Sequence, residues 1–262
     1  MSGRAIVLLT DFGTRDWYVG ALKGVLLSRA PHARVIDLTH EIPPQDVLAG
    51  AFTLGAAAPW FPKGTVFLTV VDPGVGGARA LVAARADGRF FVGPDNGLLT
   101  FPLRRAARVS VVELANRRYW LAAISETFHG RDILAPVAAH LARGGSLRVL
   151  GPVKRRVATL EWPSPTPRGQ SVMGEIIHID AFGNLITNLE AARWLAPARA
   201  RAVMRYNRAR APVVSSYAQG RPHQLIAVVN ALGLIELAIR ESSAAWSQNA
   251  KRGDRVELLL GS

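Results

Sequence analysis

Three side chains of complementary chemistry stand in two glycine-rich turns of this sequence. Val70-Val-Asp-Pro-Gly-Val-Gly-Gly-Ala-Arg79 carries Asp72 and Arg79, and Phe128-His-Gly-Arg-Asp132 carries His129. A carboxylate accepts a proton or a hydrogen bond, a guanidinium stabilises a developing anion, and an imidazole titrates near neutral pH. Asp11, Asp16 and Asp180 also lie at or just beyond the ends of apolar runs. Taken singly, each Asp is equally well explained as a cap or turn former, Asp72-Pro-Gly is good turn chemistry by itself, and a lone His129 is more often structural. Taken together, several carboxylates on a basic chain point to a locally acidic pocket.

The elements that must position these groups alternate. Ala5–Thr10, Val35–Leu38 and Val66–Val71 read as short strands buried on both faces. Between them, Trp17 to Arg29 and Gln45 to Ala58 read as helices, the first stopped by Pro31 and the second broken before Pro62. Strand, helix, strand, helix, strand predicts parallel crossover units, whose ligands bind at the carboxyl ends of the strands. Two further runs, Leu81–Ala84 and Arg89–Val92, flank Asp87-Gly88 and predict a hairpin. A helix from Ile133 to Ala142 is expected to be interrupted early by Pro136.

Three prolines, Pro163, Pro165 and Pro167, predict an extended linker over residues 163–170. It separates an N-terminal α/β domain with a mostly parallel central sheet, residues 1–162, from a smaller all-β, barrel-like domain, residues 171–262. The strands expected beyond the linker are Val172–Asp180, Leu185–Thr187, Ala202–Tyr206, Leu225–Val229, Leu234–Ile239 and Val256–Leu260.

Composition narrows the function. The 262 residues are 49% hydrophobic, enough for a substantial core, and no apolar run is long enough to span a bilayer. Because the start reaches Asp11 too early for a secretory signal, a cytoplasmic protein with no membrane partner is expected. The absence of cysteine excludes disulfides, thiolate nucleophiles and cysteine metal sites. The net charge of +13 invites a nucleic-acid reading. However, the excess is arginine dispersed among alanine, and the denser runs 103–108, 154–156 and 199–205 lack interleaved aromatic residues for base stacking. Solvated faces and no nucleic-acid partner are therefore expected.

Common motifs fail in specific ways. Gly74-Val-Gly-Gly-Ala-Arg79 has arginine where a dinucleotide fingerprint needs its third glycine, and a strand follows where a helix should. No P-loop, G-x-S-x-G elbow or H-E-x-x-H occurs. His178 and Asp180 share a strand face, but two ligands do not make a metal site, so no metal is expected.

Five segments in order, Thr10–Thr14, Val71–Gly76, Gly93–Thr100, Thr127–Asp132 and Ile179–Asn188, resemble those of the S-adenosyl-L-methionine hydroxide adenosyltransferase family. That family is related to the fluorinase and chlorinase. The resemblance runs from about residue 5 to residue 260. It implies hydrolysis of S-adenosyl-L-methionine (SAM) to adenosine and methionine without a cofactor, by a homotrimer with active sites between subunits. It also implies a triad of Asp72, Arg79 and His129, with Asp11 on the ribose hydroxyls and Asp16 and Phe128 in the pocket wall. Asp180 would hold the methionine ammonium, and Asn184 and the backbone near Ala244 would meet the adenine. The last match is weakest, because Ser242-Ser-Ala-Ala245 replaces the usual Gly-Asn-Ala-Ala.

The implied chemistry is physically coherent. A sulfonium leaves as a neutral thioether and needs no acid, so the demand falls on the nucleophile. Water needs a positioned base and a nearby cation; His129 and Asp72 would orient it and accept its protons while Arg79 stabilises its anionic character. A halogenase is the nearest alternative. The related halogenases carry a tyrosine and a serine where this chain has Asp72 and Gly130, and an ionised Asp would repel halide. A non-catalytic SAM or adenosine binder is the alternative from a different class.

Overall fold

On the first strand, side-chain alternation decides the layering. In the computed structural model, which describes residues 4–195 and 202–260, β1 (Ile6–Thr10) is buried along its whole length. Ile6 and Leu8 enter one apolar cluster and Val7 and Leu9 the other, as the two-residue period of a strand requires. A strand apolar on both faces must be covered on both. Helices α1 (Tyr18–Arg29) and α4 (Ala135–Ala142) cover the first face. α2 (Val47–Ala57) and the short α3 (Thr100–Arg104) cover the second.

The chain divides into two compact units, Met1–Leu160 and Glu161–Ser262. The first holds a six-stranded sheet with β2 (Val35–Thr39), β3 (Val66–Val70), β4 (Leu81–Ala86), β5 (Arg89–Pro94) and β6 (Val109–Glu113), in the order β2-β1-β3-β5-β4-β6. β2, β1, β3 and β5 are parallel; β4 runs antiparallel to both β5 and β6. The hairpin β4–β5 turns at Asp87-Gly88, where both residues have positive φ, the geometry that Asp-Gly supplies. Phe67 and Phe91 stack at 5.0 Å beneath α2, and truncating either buried ring to alanine costs about 3–5 kcal/mol.

Ahead of α4 the chain makes a π turn, Gly130–Leu134, closed by the Ala135 N–H donating to the Gly130 carbonyl. Pro136 is the reason the expected interruption takes this form. Having no N–H, it cannot bond the carbonyl of Asp132, four residues earlier. That carbonyl instead accepts from Leu121 N at 2.8 Å. The proline therefore starts α4 rather than breaking it, and frees an acceptor that ties down the loop before His129.

Antiparallel strands make up the second unit's single sheet. β7 (Thr166–Arg168) is off the main path, pairing with β8. The remaining order is β11 (Ala209–Pro212), β10 (Val203–Tyr206), β14 (Arg255–Leu259), β8 (Ser171–Ile179), β9 (Leu185–Glu190), β13 (Leu234–Ile239), β12 (Leu225–Val229). The barrel nearly closes where Val214 N donates to Ala227 O at 2.8 Å, linking the chain after β11 to β12. Two short helices, α5 (Ala191–Trp194) and α6 (Ala244–Gln248), complete the unit.

Part of the proline-rich segment is more ordered than a linker. β7 pairs through Pro167 with Val172, which an edge strand tolerates because proline's backbone is already extended and its missing N–H can face away from the ladder. Of the basic runs, Arg104, Arg105, Arg108, Arg155 and Arg156 are exposed. Arg199 and Arg201 lie outside the described residues.

Candidate active site

The loops leaving β1, β2 and β3, together with the turn before α4, surround a cavity of 430 Å³ in the first unit. Its lining includes Asp11, Phe12, Tyr18, Pro44, Gln45, Asp72, Phe128 and His129. This is the carboxyl end of the parallel strands, where the alternation of elements places a ligand.

Asp72 leaves the end of β3, and Asn96 fixes that exit by donating from Nδ2 to Val71 O at 2.9 Å. The glycines that follow fold the chain back so that Arg79 faces Asp72. Gly76, at φ +78°, passes so close to Glu126 that a Cβ would stand 2.7 Å from its carbonyl oxygen. Arg79 Nε donates to Asp72 Oδ1 at 2.8 Å, and an Nη donates to Oδ2 in a short second bond. Such a fork is the strong, planar form of the ion pair, and both side chains are largely withdrawn from water.

Arg79 also reaches His129, with an Nη 3.0 Å from Nδ1. A guanidinium can only donate, so Nδ1 is the acceptor and the ring proton sits on Nε2. Burial, then the charge of Arg79, holds the His129 imidazole below its ordinary value of 6.5. The three groups are thus one unit: an ionised acid, a cation that neutralises it, and a neutral imidazole with a directed N–H. Such a unit can accept a hydrogen bond from water at Asp72, donate one from His129, and hold negative charge near Arg79.

The walls are aromatic. Phe128 meets Phe12, Trp17 and Tyr18 edge to face at 5.9, 5.6 and 5.4 Å, and Trp17 stacks on Tyr18 at 4.6 Å. Behind them Asp132 is fully buried, accepting from Arg131 Nε at 2.6 Å and from Ser125 N at 2.8 Å. Asp11 faces the cavity with Oδ2 accepting from Gln45 N at 2.8 Å. Burial raises its carboxyl above the usual 3.8, against the lowering by that backbone bond, and Asp72 adds to the rise.

Asp16 is not brought to this cavity. It is exposed on the turn before α1, where nothing apolar draws it inward.

A second cavity, of 670 Å³, lies wholly on the second unit and is lined by Asp180, Phe182, Asn184, Tyr217 and the segment 239–242 among others. Asp180 Oδ1 accepts from Phe182 N and Asn184 N, each at 2.9 Å, and Oδ2 accepts from Asn184 Nδ2 at 3.0 Å. Ala244 is completely buried at the start of α6, so its side chain belongs to the core and not to the cavity lining. The backbone beside it is used locally, Ala245 N donating to Gly183 O at 2.9 Å. Tyr217 was not singled out by the sequence. Its hydroxyl donates to Glu236, a nearly fully buried carboxylate that also accepts from Asn230 Nδ2 at 3.0 Å. Burial and then that hydrogen bond push the phenol's pKa well up. No cluster of metal-ligating side chains occurs among the described residues. No described helix is long and apolar enough to cross a membrane.

An acid, a guanidinium and an imidazole locked together at the strand ends, beside a cavity in the range of small-molecule sites, define an α/β enzyme. Models of the SAM hydroxide adenosyltransferase N-terminal and C-terminal domains match residues 6–151 and 174–257, and the chain belongs to that family. A (R)-S-adenosyl-L-methionine hydrolase of Salinispora tropica is 39% identical over 98% of both chains. One of Thermus thermophilus is 38% identical over 98% of this chain and 100% of its own. A fluorinase of Nocardia brasiliensis is 27% identical over 98% and 97% of the two chains. The crystal structure of an uncharacterized conserved protein from Thermotoga maritima superposes with a TM-score of 0.91 at 34% identity, covering 97% of this chain and 99% of that one.

Proposed function

We propose that this enzyme hydrolyses SAM to adenosine and L-methionine. The observation that carries the reading is the Asp72–Arg79–His129 unit at the edge of the 430 Å³ cavity. The water oxygen attacks the ribose C5′, a C–O bond forms as the C5′–S bond breaks, and the bonding pair returns to sulfur as the neutral thioether of methionine. One water proton is lost. Asp72 is the acceptor with lone pairs left over, whereas His129 Nδ1 is occupied by Arg79, so His129 orients the water from its Nε2–H. Arg79 stabilises the charge that develops on the oxygen.

Asp11, with Phe128 and its aromatic neighbours, binds the nucleoside in this reading. Asp180 takes the ammonium of methionine and Asn184 the adenine. The substrate's sulfonium and ammonium explain why a basic protein gathers acids at these places. Two features favour water over halide: the greater identity to the relatives named hydrolases, and the Asp72 carboxylate, an acceptor where a halide needs donors. No cofactor takes part. The proposal includes a homotrimer in the cytoplasm, and light scattering on the purified chain tests the assembly.

The direct test is multiple turnover in H2¹⁸O with SAM. Equimolar adenosine and methionine, with the label in the 5′ hydroxyl and no halogenated nucleoside in added chloride or fluoride, are expected. Label-free adenosine, a halogenated product, or no product overturns the reading.

A further inference from the structure

Against the loop that carries Asp11 lies a buried imidazole to which the proposed chemistry gives no part. His40 follows β2 and is 3% exposed. Its Nδ1 is 2.9 Å from Thr10 Oγ1, and its Nε2 is 3.0 Å from Asp37 Oδ1. Asp37 in turn accepts from Lys23 Nζ at 2.6 Å, on α1. Thr10 Oγ1 already accepts from Phe12 N at 3.2 Å, so its own hydrogen is free to point at Nδ1, which places the ring proton on Nε2 toward the carboxylate.

The backbone of the same residue does a second task. His40 O accepts from Gly13 N at 2.8 Å, and Gly13 has a φ of +65°, which lets the loop after β1 double back. One residue thus grips the Asp11 loop on both sides, through Thr10 and through Gly13. The β2 loop then runs on to Gln45, whose N–H holds the Asp11 carboxylate directly. A desolvated carboxylate gains from a fixed orientation, because a small misplacement of a binding group is costly in an enzyme site.

We propose that His40 is a positioning residue for Asp11, clamping the loops after β1 and β2 so that the carboxylate meets the ribose hydroxyls in a single orientation. This rests on the reading of the cavity as a SAM site. His40 touches no substrate; it acts through Thr10, Gly13 and the Gln45 segment.

The test is a double-mutant cycle on the full chain, reading kcat and KM for SAM and for its 2′-deoxyribose analogue. His40→Leu is expected to raise KM for SAM about tenfold while kcat changes less than about threefold, and to shrink the preference for ribose over 2′-deoxyribose. His40→Asn, which keeps an amide atom near the Nδ1 position, restores most of that preference. Combined with Asp11→Ala, His40→Leu adds little further loss, because both act through one carboxylate. Thr10→Val copies His40→Leu and serves if that variant does not fold. Multiplying effects in the cycle, or an unchanged sugar preference in both His40→Leu and Thr10→Val, overturn the inference. A wild-type protein that makes no adenosine defeats the function reading instead; calorimetry with adenosine and 2′-deoxyadenosine then runs the same cycle on binding.

Discussion

The two cavities are built from similar residue types but spend their charges differently. On the first unit, Asp72 is satisfied by another side chain, and that partner is itself shared with an imidazole. On the second, Asp180 is satisfied by its own loop, two backbone N–H groups and the amide of Asn184. A side-chain network of this kind leaves Asp72 lone pairs and the His129 Nε2–H available to a ligand of the cavity both residues line. A carboxylate in its own turn is a fixed negative charge, suited to recognising a cation. Under the proposed hydrolysis, the first unit would supply the chemistry and the second the recognition.

The largest effect that sharpens this contrast is on turnover. Asp72→Ala and Arg79→Ala are each expected to lower kcat by about 10²- to 10⁴-fold with little change in KM, measured by chromatographic detection of adenosine. Wild-type turnover in either variant breaks the assignment. Next in size, Asp180→Ala is expected to raise KM for SAM by about 10- to 100-fold, the value of a charged hydrogen bond, with kcat near that of the unsubstituted enzyme. A loss confined to kcat would erase the distinction between the units.

The third prediction concerns pH and belongs to the first unit. His129 in the folded protein lies below its ordinary 6.5, so the folded state prefers the neutral ring. Its contribution to stability is therefore complete above about 6.5 and is lost as pH falls from there toward the depressed value. NMR titration of the His129 ring is expected to show a midpoint below 6.5. Because the Arg79 charge is the second cause after burial, Arg79→Met moves the midpoint up. A midpoint at or above 6.5 in the unsubstituted protein contradicts the neutral, Arg79-bonded ring.

The smallest effect is structural and falls on the second unit. Tyr217→Phe leaves the buried Glu236 carboxylate one donor short, at a cost of about 1–3 kcal/mol read in denaturant melts. In that variant kcat stays close to the unsubstituted value. A drop in kcat matching the Asp72 variants would place chemistry on the wrong unit.

Much of this arrangement was legible in the chain. The alternation of apolar runs gives the parallel sheet, and Asp87-Gly88 gives the hairpin, because both signals are local. Asp72, Arg79 and His129 were nameable for the same reason: each stands in a glycine-rich turn at a strand or helix boundary. That Arg79 bonds both partners was not readable, since it depends on how Gly74–Gly77 reverses the chain. Tyr217 and His40 are not readable from the chain, because a lone tyrosine or histidine carries no sequence signal until burial gives it a partner. β7 was hidden by its prolines, which mark an edge strand and a linker alike.

The π turn at Gly130–Leu134 also means that the position of His129 is stored as a residue count. An α-helix advances about 100° per residue, so deleting one residue from the turn would regularise the helix and swing Phe128 and His129 around its axis. The hydrophobic stripe of α4, which lies beyond the turn, would keep its register. A single codon lost or gained here could therefore dismantle or create the imidazole's placement while the rest of the unit folded as before.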